Sequence, residues 1–243
     1  MTQRRLIIGA ATSVALLAAA WALKTAMEAR CWAFGAPVLC RVATEAKVVA
    51  LSFDDGPTKV GLDAVLPVLA THGARATFFV IGAEAEGYPE GVQRIVGGGH
   101  EIGSHSFHHR RMISPLAAAD RAEIARTDRA VVAAGGPTPK LFRPPYGVKF
   151  TGLANAVGGK TIAMWDFEEP AARPGGARAY ADAVIAAARP GSIILIHPMY
   201  ASRAVEREAL PLILAGLKAR GFAIVSVSEL AARETLPARP EAR

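Results

Sequence analysis

The sequence predicts an α/β protein: a distorted (β/α) barrel of about seven strands, preceded by an N-terminal apolar helix. Three observations carry this expectation. From residue 47 onward short apolar runs alternate with helical patterns, and Gly, Pro or His-Gly separates each from the next, as in repeated β-α units. The run at 193–196 is apolar throughout, and that at 48–53 is apolar apart from Ser52, as buried strands are. Both runs end in groups capable of chemistry, Asp54-Asp55 and His197, which places that chemistry at one end of the barrel. With 243 residues, of which 51% are hydrophobic, the chain can bury one sizeable core.

Taken in order, the chain begins with Arg4 and Arg5 ahead of an uncharged run from Leu6 to Leu23. That run approaches the roughly 20 residues a membrane helix needs and exceeds the apolar core of a signal peptide. An uncleaved anchor is expected, with the N-terminus cytoplasmic and everything after Lys24 on the far side. Ala18-Ala19-Ala20 also offers a small-residue cleavage site, which keeps a secreted product open. Residues 1–30 are thus an anchor or signal, 31–46 a linker, 47–230 the folded domain, and 231–243 a flexible tail rich in Pro and Arg. Beyond the membrane Cys31 and Cys40 would meet an oxidising compartment, where they either close a small disulfide loop, adding about 2–3 kcal/mol, or stay free.

Expected strands are 48–53, 76–81, 101–104, 140–143, 161–167, 193–197 and 223–227. Helices are expected at 61–72, 89–97, 115–134, 177–188 and 204–221, the third dense in Ala, Arg and Glu. No fixed-period repeat appears. The formal net charge of +7 is scattered, and no basic stretch is interleaved with aromatics, which argues against a nucleic-acid partner. Nothing in the sequence sets the oligomeric state.

The chemistry starts at Ser52-Phe53-Asp54-Asp55-Gly56-Pro57, a strand delivering two adjacent carboxylates to its end. Successive strand residues face opposite sides, so one acid suits a metal ion and the other the reactants. Downstream, His105-Ser106-Phe107-His108-His109 holds three of the six histidines. His105 and His109, four apart, can aim both imidazoles at one ion, with His108 competing at a spacing of three. Two histidines and Asp55 would make the open, three-ligand set of catalytic zinc. In Phe142-Arg143-Pro144-Pro145-Tyr146-Gly147 an arginine ends another strand, and a buried guanidinium needs an acid such as Asp54. His197 closes the apolar run at 193–196, placed to carry a proton.

Together these four stretches resemble, in order and spacing, the successive motifs of the polysaccharide deacetylases, the NodB-homology group of carbohydrate esterase family 4, over about residues 47 to 230. The resemblance implies a divalent metal, most often Zn2+, and hydrolysis of an N-acetyl group from an amino sugar of a glycan or oligosaccharide. It assigns Asp55, His105 and His109 to the metal, Asp54 as general base and His197 as general acid. It also implies that Arg143 orients Asp54, that the Tyr146 backbone N–H helps bind the oxyanion, and that Ser106 braces the histidine loop. One departure stands out. The family carries an Asp-Trp pair after the tryptophan of the next strand, whereas here the run is Trp165-Asp166-Phe167-Glu168-Glu169-Pro170-Ala171-Ala172, with Ala171 and Ala172 in those places. Asp166 or Glu168 is then expected to supply the carboxylate that tunes His197. Trp165, Phe167 and Tyr200 form either an aromatic surface for a sugar ring or part of the core. Two other readings stay open: a deformylase or deacylase of a lipid-linked sugar, and a non-catalytic carbohydrate-binding module on the same barrel.

Overall fold

In chain order the elements are α1 (Thr2–Glu28), β1 (Val38–Leu39), β2 (Val48–Asp54), α2 (Lys59–Thr71), β3 (Thr77–Val80), α3 (Gly82–Gly87), α4 (Pro89–Gly97), β4 (Glu101–Ser104), α5 (Ala117–Ala133) and β5 (Leu141–Phe142). There follow α6 (Thr151–Ala156), β6 (Thr161–Ala163), β7 (Phe167–Glu168), α7 (Gly176–Ala187), β8 (Ile193–Ile196), α8 (Ala204–Ala219), β9 (Ala223–Val225) and α9 (Val227–Ala231). The structure, a computed structural model, describes residues 2–168 and 175–235, with side chains from residue 12 onward. Glu169, Pro170, Ala171 and Ala172, and the end of the expected tail at 236–243, lie outside the described residues.

The described strands form one nine-stranded sheet in the order β1-β6-β5-β4-β3-β2-β8-β7, with β9 beside the start of β2. Every ladder pairing is parallel, and helices cover the outer face. The expected single strand at 161–167 is in fact two strands on opposite sides of the sheet: β6 pairs with β5 and β1, and β7 with β8. The chain between them bridges the gap, Met164 N donating to Leu39 O at 2.8 Å and Asp166 N to Ile193 O at 3.1 Å, so the sheet must curl into a distorted barrel. The reason for the break is chemical. Arg143 inside the barrel takes the carbonyls of Ala163 and Met164, each at 2.9 Å, and those acceptors are occupied where the strand would have run on.

Alternation along β2 sorts its residues by period two. Val49, Leu51 and Phe53 join the outer core with Leu62, Val65, Ile213 and Leu214 of α2 and α8, while Val48 and Ala50 join the inner core with Phe79, Phe142 and Leu195. Ser52 and Asp54 continue the inward register, which puts an acid in the bore of the barrel. Close packing there depends on Gly103 of β4, where an added Cβ would lie 2.4 Å from the Phe79 ring. Gly103→Ala is therefore expected to lower stability by about 1–3 kcal/mol through overpacking, read as a drop in urea midpoint at unchanged slope.

Residues 31–46, expected as a linker, are anchored to the domain at several points, although half of them are exposed. Cys31 and Cys40 are joined in a disulfide, β1 extends the sheet beside β6, and Val42 is fully buried. Lys149, 1% exposed, donates to Ala29 O and Gly147 O and so ties the end of α1 to the barrel. Burial lowers its pKa to about 8. Among the described residues no helix is long and apolar enough to cross a membrane, although Val14, Leu16, Leu17 and Trp21 of α1 are exposed.

His100, before β4, titrates at about 4 because of burial first and the nearby Arg75 charge second, against 6.5 for the free side chain. The unfolded chain therefore binds a proton that the folded chain refuses between those values. His100→Asn is expected to flatten the stability curve between pH 6.5 and 4, where the natural protein loses stability as pH falls. Chemical denaturation at pH 7 and pH 5 checks this, and equal losses in both proteins would contradict it.

Candidate active site

The C-terminal ends of β2, β4, β5 and β8 open into one cavity of about 400 Å³ lined by Asp54, Asp55, His105, His109, Tyr146, Trp165, Glu168, His197, Arg203 and Glu206. Strict alternation would send Asp54 and Asp55 to opposite faces, and here it does not. Asp55 has φ 66°, a left-handed conformation that costs energy for a residue with a Cβ, and this turns its carboxylate back to the cleft that Asp54 faces. The same φ region holds Ser106 (62°), His109 (55°) and Tyr146 (60°), so the four positive-φ residues other than glycine among the described residues all cluster here.

Asp55, His105 and His109 offer one ligand atom each, all within 4.8 Å of one another. His109 Nε2 lies 3.3 Å and His105 Nε2 3.9 Å from Asp55 Oδ1. Ligands on a tetrahedral zinc ion, with bonds of about 2.0–2.1 Å, sit roughly 3.3 Å apart, so these atoms are close to the spacing a metal requires. Asp55 Oδ1 is buried and has no hydrogen-bond partner, a costly arrangement for an acid unless a cation completes it. His105 Nδ1 is 2.7 Å from Arg143 O, which fixes the ring with Nε2 toward Asp55. The donor set thus fits a divalent cation. His108, the competing ligand by spacing, is turned away, its Nδ1 lying 2.8 Å from Glu123 Oε1.

Asp54 is 2% exposed and takes a 2.7 Å hydrogen bond from the Arg143 guanidinium on Oδ1. Burial pushes its carboxyl pKa up, but Arg143, His105 and His197 outweigh that and hold it below the ordinary value. Its Oδ2 lies 3.7 Å from His105 Nε2. Arg143, fully buried, also donates to Ser52 Oγ at 3.0 Å and stacks 3.9 Å over the Phe79 ring, so its position is set from all sides.

His197 stands across the cavity with Nδ1 3.6 Å from Glu168 Oε1. Of the two acids expected to face it, only Glu168 does. Asp166 instead accepts from Ser192 Oγ and Ile193 N, each at 2.9 Å, because its backbone sits in the crossing between β6 and β7 and its side chain turns to the β8 entrance. Among the aromatics Trp165 lines the cavity, Phe167 packs against the core, and Tyr200 donates to Glu84 at 3.1 Å. The hydroxyl of Ser106, expected to brace the histidine loop, is buried without a partner. The bracing atoms belong to Glu123 of α5, which binds Phe107 N, His108 N, His108 Nδ1 and Arg110. Sequence reasoning missed Glu123, as it missed Arg203 and Glu206. The signal for both glutamates was an acid on the buried face of a helix.

Comparison with known proteins agrees with this geometry. Residues 41–158 match the family model described as polysaccharide deacetylase. The chain is 33% identical over 184 residues to the peptidoglycan-N-acetylglucosamine deacetylase PgdA of Listeria monocytogenes, an alignment covering 76% of this chain and 39% of that one. The chain thus matches well under half the length of that relative. It is 39% identical to a chitooligosaccharide deacetylase of Sinorhizobium fredii, covering 65% of this chain and 74% of the relative. A family 4 acetyl xylan esterase from Clostridium thermocellum, solved with a cobalt ion, superposes with a TM-score of 0.71 at 35% identity, covering 76% of this chain and 91% of that one. On the identity and coverage of these relatives, and on the motifs that meet in its cleft, the chain belongs to the polysaccharide deacetylase family, the NodB-homology group of carbohydrate esterase family 4.

Proposed function

We propose that this protein is a metal-dependent hydrolase that removes an N-acetyl group from an amino sugar of a cell-envelope glycan or oligosaccharide, acting outside the cytoplasm. The observation that carries the proposal is the meeting of two carboxylates and three imidazoles from separate strand ends in one cleft: Asp54, Asp55, His105, His109 and His197. Asp55, His105 and His109 would hold the cation, and two imidazoles with one carboxylate suit Zn2+. When bound, the metal supplies acidity to water and polarises the amide carbonyl.

The remaining work belongs to the chain. Asp54, kept ionised by Arg143, takes the proton of the attacking water on Oδ2. The backbone N–H of Tyr146, presented by its left-handed turn, donates to the oxygen that becomes negative in the tetrahedral species. His197, with Nδ1 toward Glu168, leaves Nε2 to protonate the departing amine. Glu168 thereby takes the place of the family's missing aspartate. Glu168→Gln is expected to lower kcat about three- to fivefold, the worth of a partly exposed charge pair in the transition state, while Asp166→Asn costs stability and leaves kcat within about twofold. Steady-state kinetics and thermal midpoints of the two variants separate these roles.

A second reading, deacylation or deformylation of a lipid-linked sugar, draws support from the exposed apolar side chains of α1 and from the tie between α1 and the barrel. Acyl-product analysis distinguishes the readings. Acetate released from chitooligosaccharides or peptidoglycan is the expected result, formate or a longer acid from a lipid-linked sugar supports the second reading, and metal bound without any acyl release would leave a binding module.

A further inference from the structure

We propose that Glu123 is the positioning residue that selects and holds the metal-binding loop, an inference that rests on reading Asp55, His105 and His109 as the metal ligands. The loop between the two histidines has unfavourable backbone geometry at both Ser106 and His109, where side-chain-bearing residues sit at positive φ. Something outside the loop must hold that shape.

Two elements do so from opposite directions. The first turn of α3 donates Gly82 N to Ser106 O and Ala83 N to Phe107 O, each at 3.0 Å, and a Cβ at Gly82 would lie 2.5 Å from the Phe107 ring. From α5 a single carboxylate gathers the opposite polarity. Glu123 Oε2 accepts Phe107 N at 3.1 Å and His108 N at 2.9 Å, while Oε1 lies 2.8 Å from His108 Nδ1 and 2.7 Å from the Arg110 guanidinium. Glu123 itself is 6% exposed while its partners His108 and Arg110 reach solvent, and burial, which alone would raise its pKa, is outweighed by these charge-assisted bonds. Arg126, 3.5 Å over the Phe107 ring, closes the other side of the clamp.

The arrangement also settles which histidine can serve. Spacing alone allows His108 or His109 to join His105. By engaging both the backbone N–H and the ring of His108, Glu123 removes that imidazole from the cleft and leaves His109 Nε2 facing Asp55. Glu123 does not line the cleft that Asp55, His105 and His109 face. Its effect is on the shape of the site.

The test is metal affinity measured on the full chain, stripped of metal and titrated with Zn2+ against a chromophoric chelator. Glu123→Gln is expected to raise the Zn2+ Kd about 10- to 100-fold, with kcat at saturating Zn2+ within about threefold of the natural protein. Glu123→Asp, which keeps the charge but not the reach, is expected to raise Kd by less and serves if the Gln variant does not fold. Val131→Ala, a cavity in the same helix away from the loop, is expected to lower the thermal midpoint of the metal-free protein without changing Kd. An unchanged Kd in both Glu123 variants, or an equal rise in Val131→Ala, overturns the role of Glu123. If the natural protein and Asp55→Ala bind Zn2+ alike, the metal reading itself is wrong, and the two failures are distinguishable.

Discussion

Asp54→Asn is expected to keep the metal while lowering kcat roughly 10³-fold, the usual range for loss of a general base. The expectation follows from how the two neighbouring aspartates divide their partners. Asp55 Oδ1 is buried without a hydrogen bond and faces both imidazoles, whereas Asp54 is claimed by Arg143 on one oxygen and presents the other to the cavity. Asparagine is isosteric and still accepts from Arg143, so the fold and the cation site should survive. His109→Ala provides the contrast, since it removes a ligand and should lose both metal and turnover. Metal content by mass spectrometry beside acetate release resolves the pair. Equal metal loss in the two variants would mean that the roles of Asp54 and Asp55 are reversed.

The second large effect is expected at Arg143. This guanidinium has no exposure and holds Asp54, Ser52 and the carbonyls of Ala163 and Met164 at once. Arg143→Met leaves the Asp54 carboxylate buried without its principal counter-charge, which should cost about 3–5 kcal/mol of stability. For a domain of this size that is a fall of roughly 10 °C in Tm. Arg143→Lys restores a charge but not the planar fork, so it should recover part of the stability and little of the kcat. If Arg143→Met were as stable as the natural protein, the guanidinium would not be organising the barrel interior. Thermal unfolding of the two variants, with kinetics on whichever folds, makes that comparison.

Both effects were accessible from the sequence because they depend on strand ends. An apolar run that stops in Asp-Asp, another that stops in Arg-Pro-Pro and a third that stops in His must deliver those groups to one rim if the strands are parallel. What the sequence did not disclose are features set by tertiary exchange of hydrogen bonds. The run at 161–167 reads as one strand, yet Arg143 captures two of its carbonyls and the chain crosses the open side of the barrel. The family resemblance implies Ser106 as the brace for the histidine loop, yet its hydroxyl has no partner, and the brace comes from Glu123, a helical residue that spacing does not link to the loop. Asp166 and Glu168 were equivalent as strings of letters. The crossing turned one toward β8 and the other toward His197. The segment after Cys31 read as a linker because β1 is only two residues long, too short to register as a strand by periodicity.

The proposed hydrolysis depends on one cation held by Asp55, His105 and His109, and anomalous diffraction from crystals of the full chain grown with Zn2+ tests this most directly. A single strong peak at the zinc edge within about 2.1 Å of Asp55 Oδ1, His105 Nε2 and His109 Nε2 is the predicted result. A peak ligated by His108 or by residues elsewhere, or no peak with the cleft open to solvent at saturating Zn2+, would contradict it.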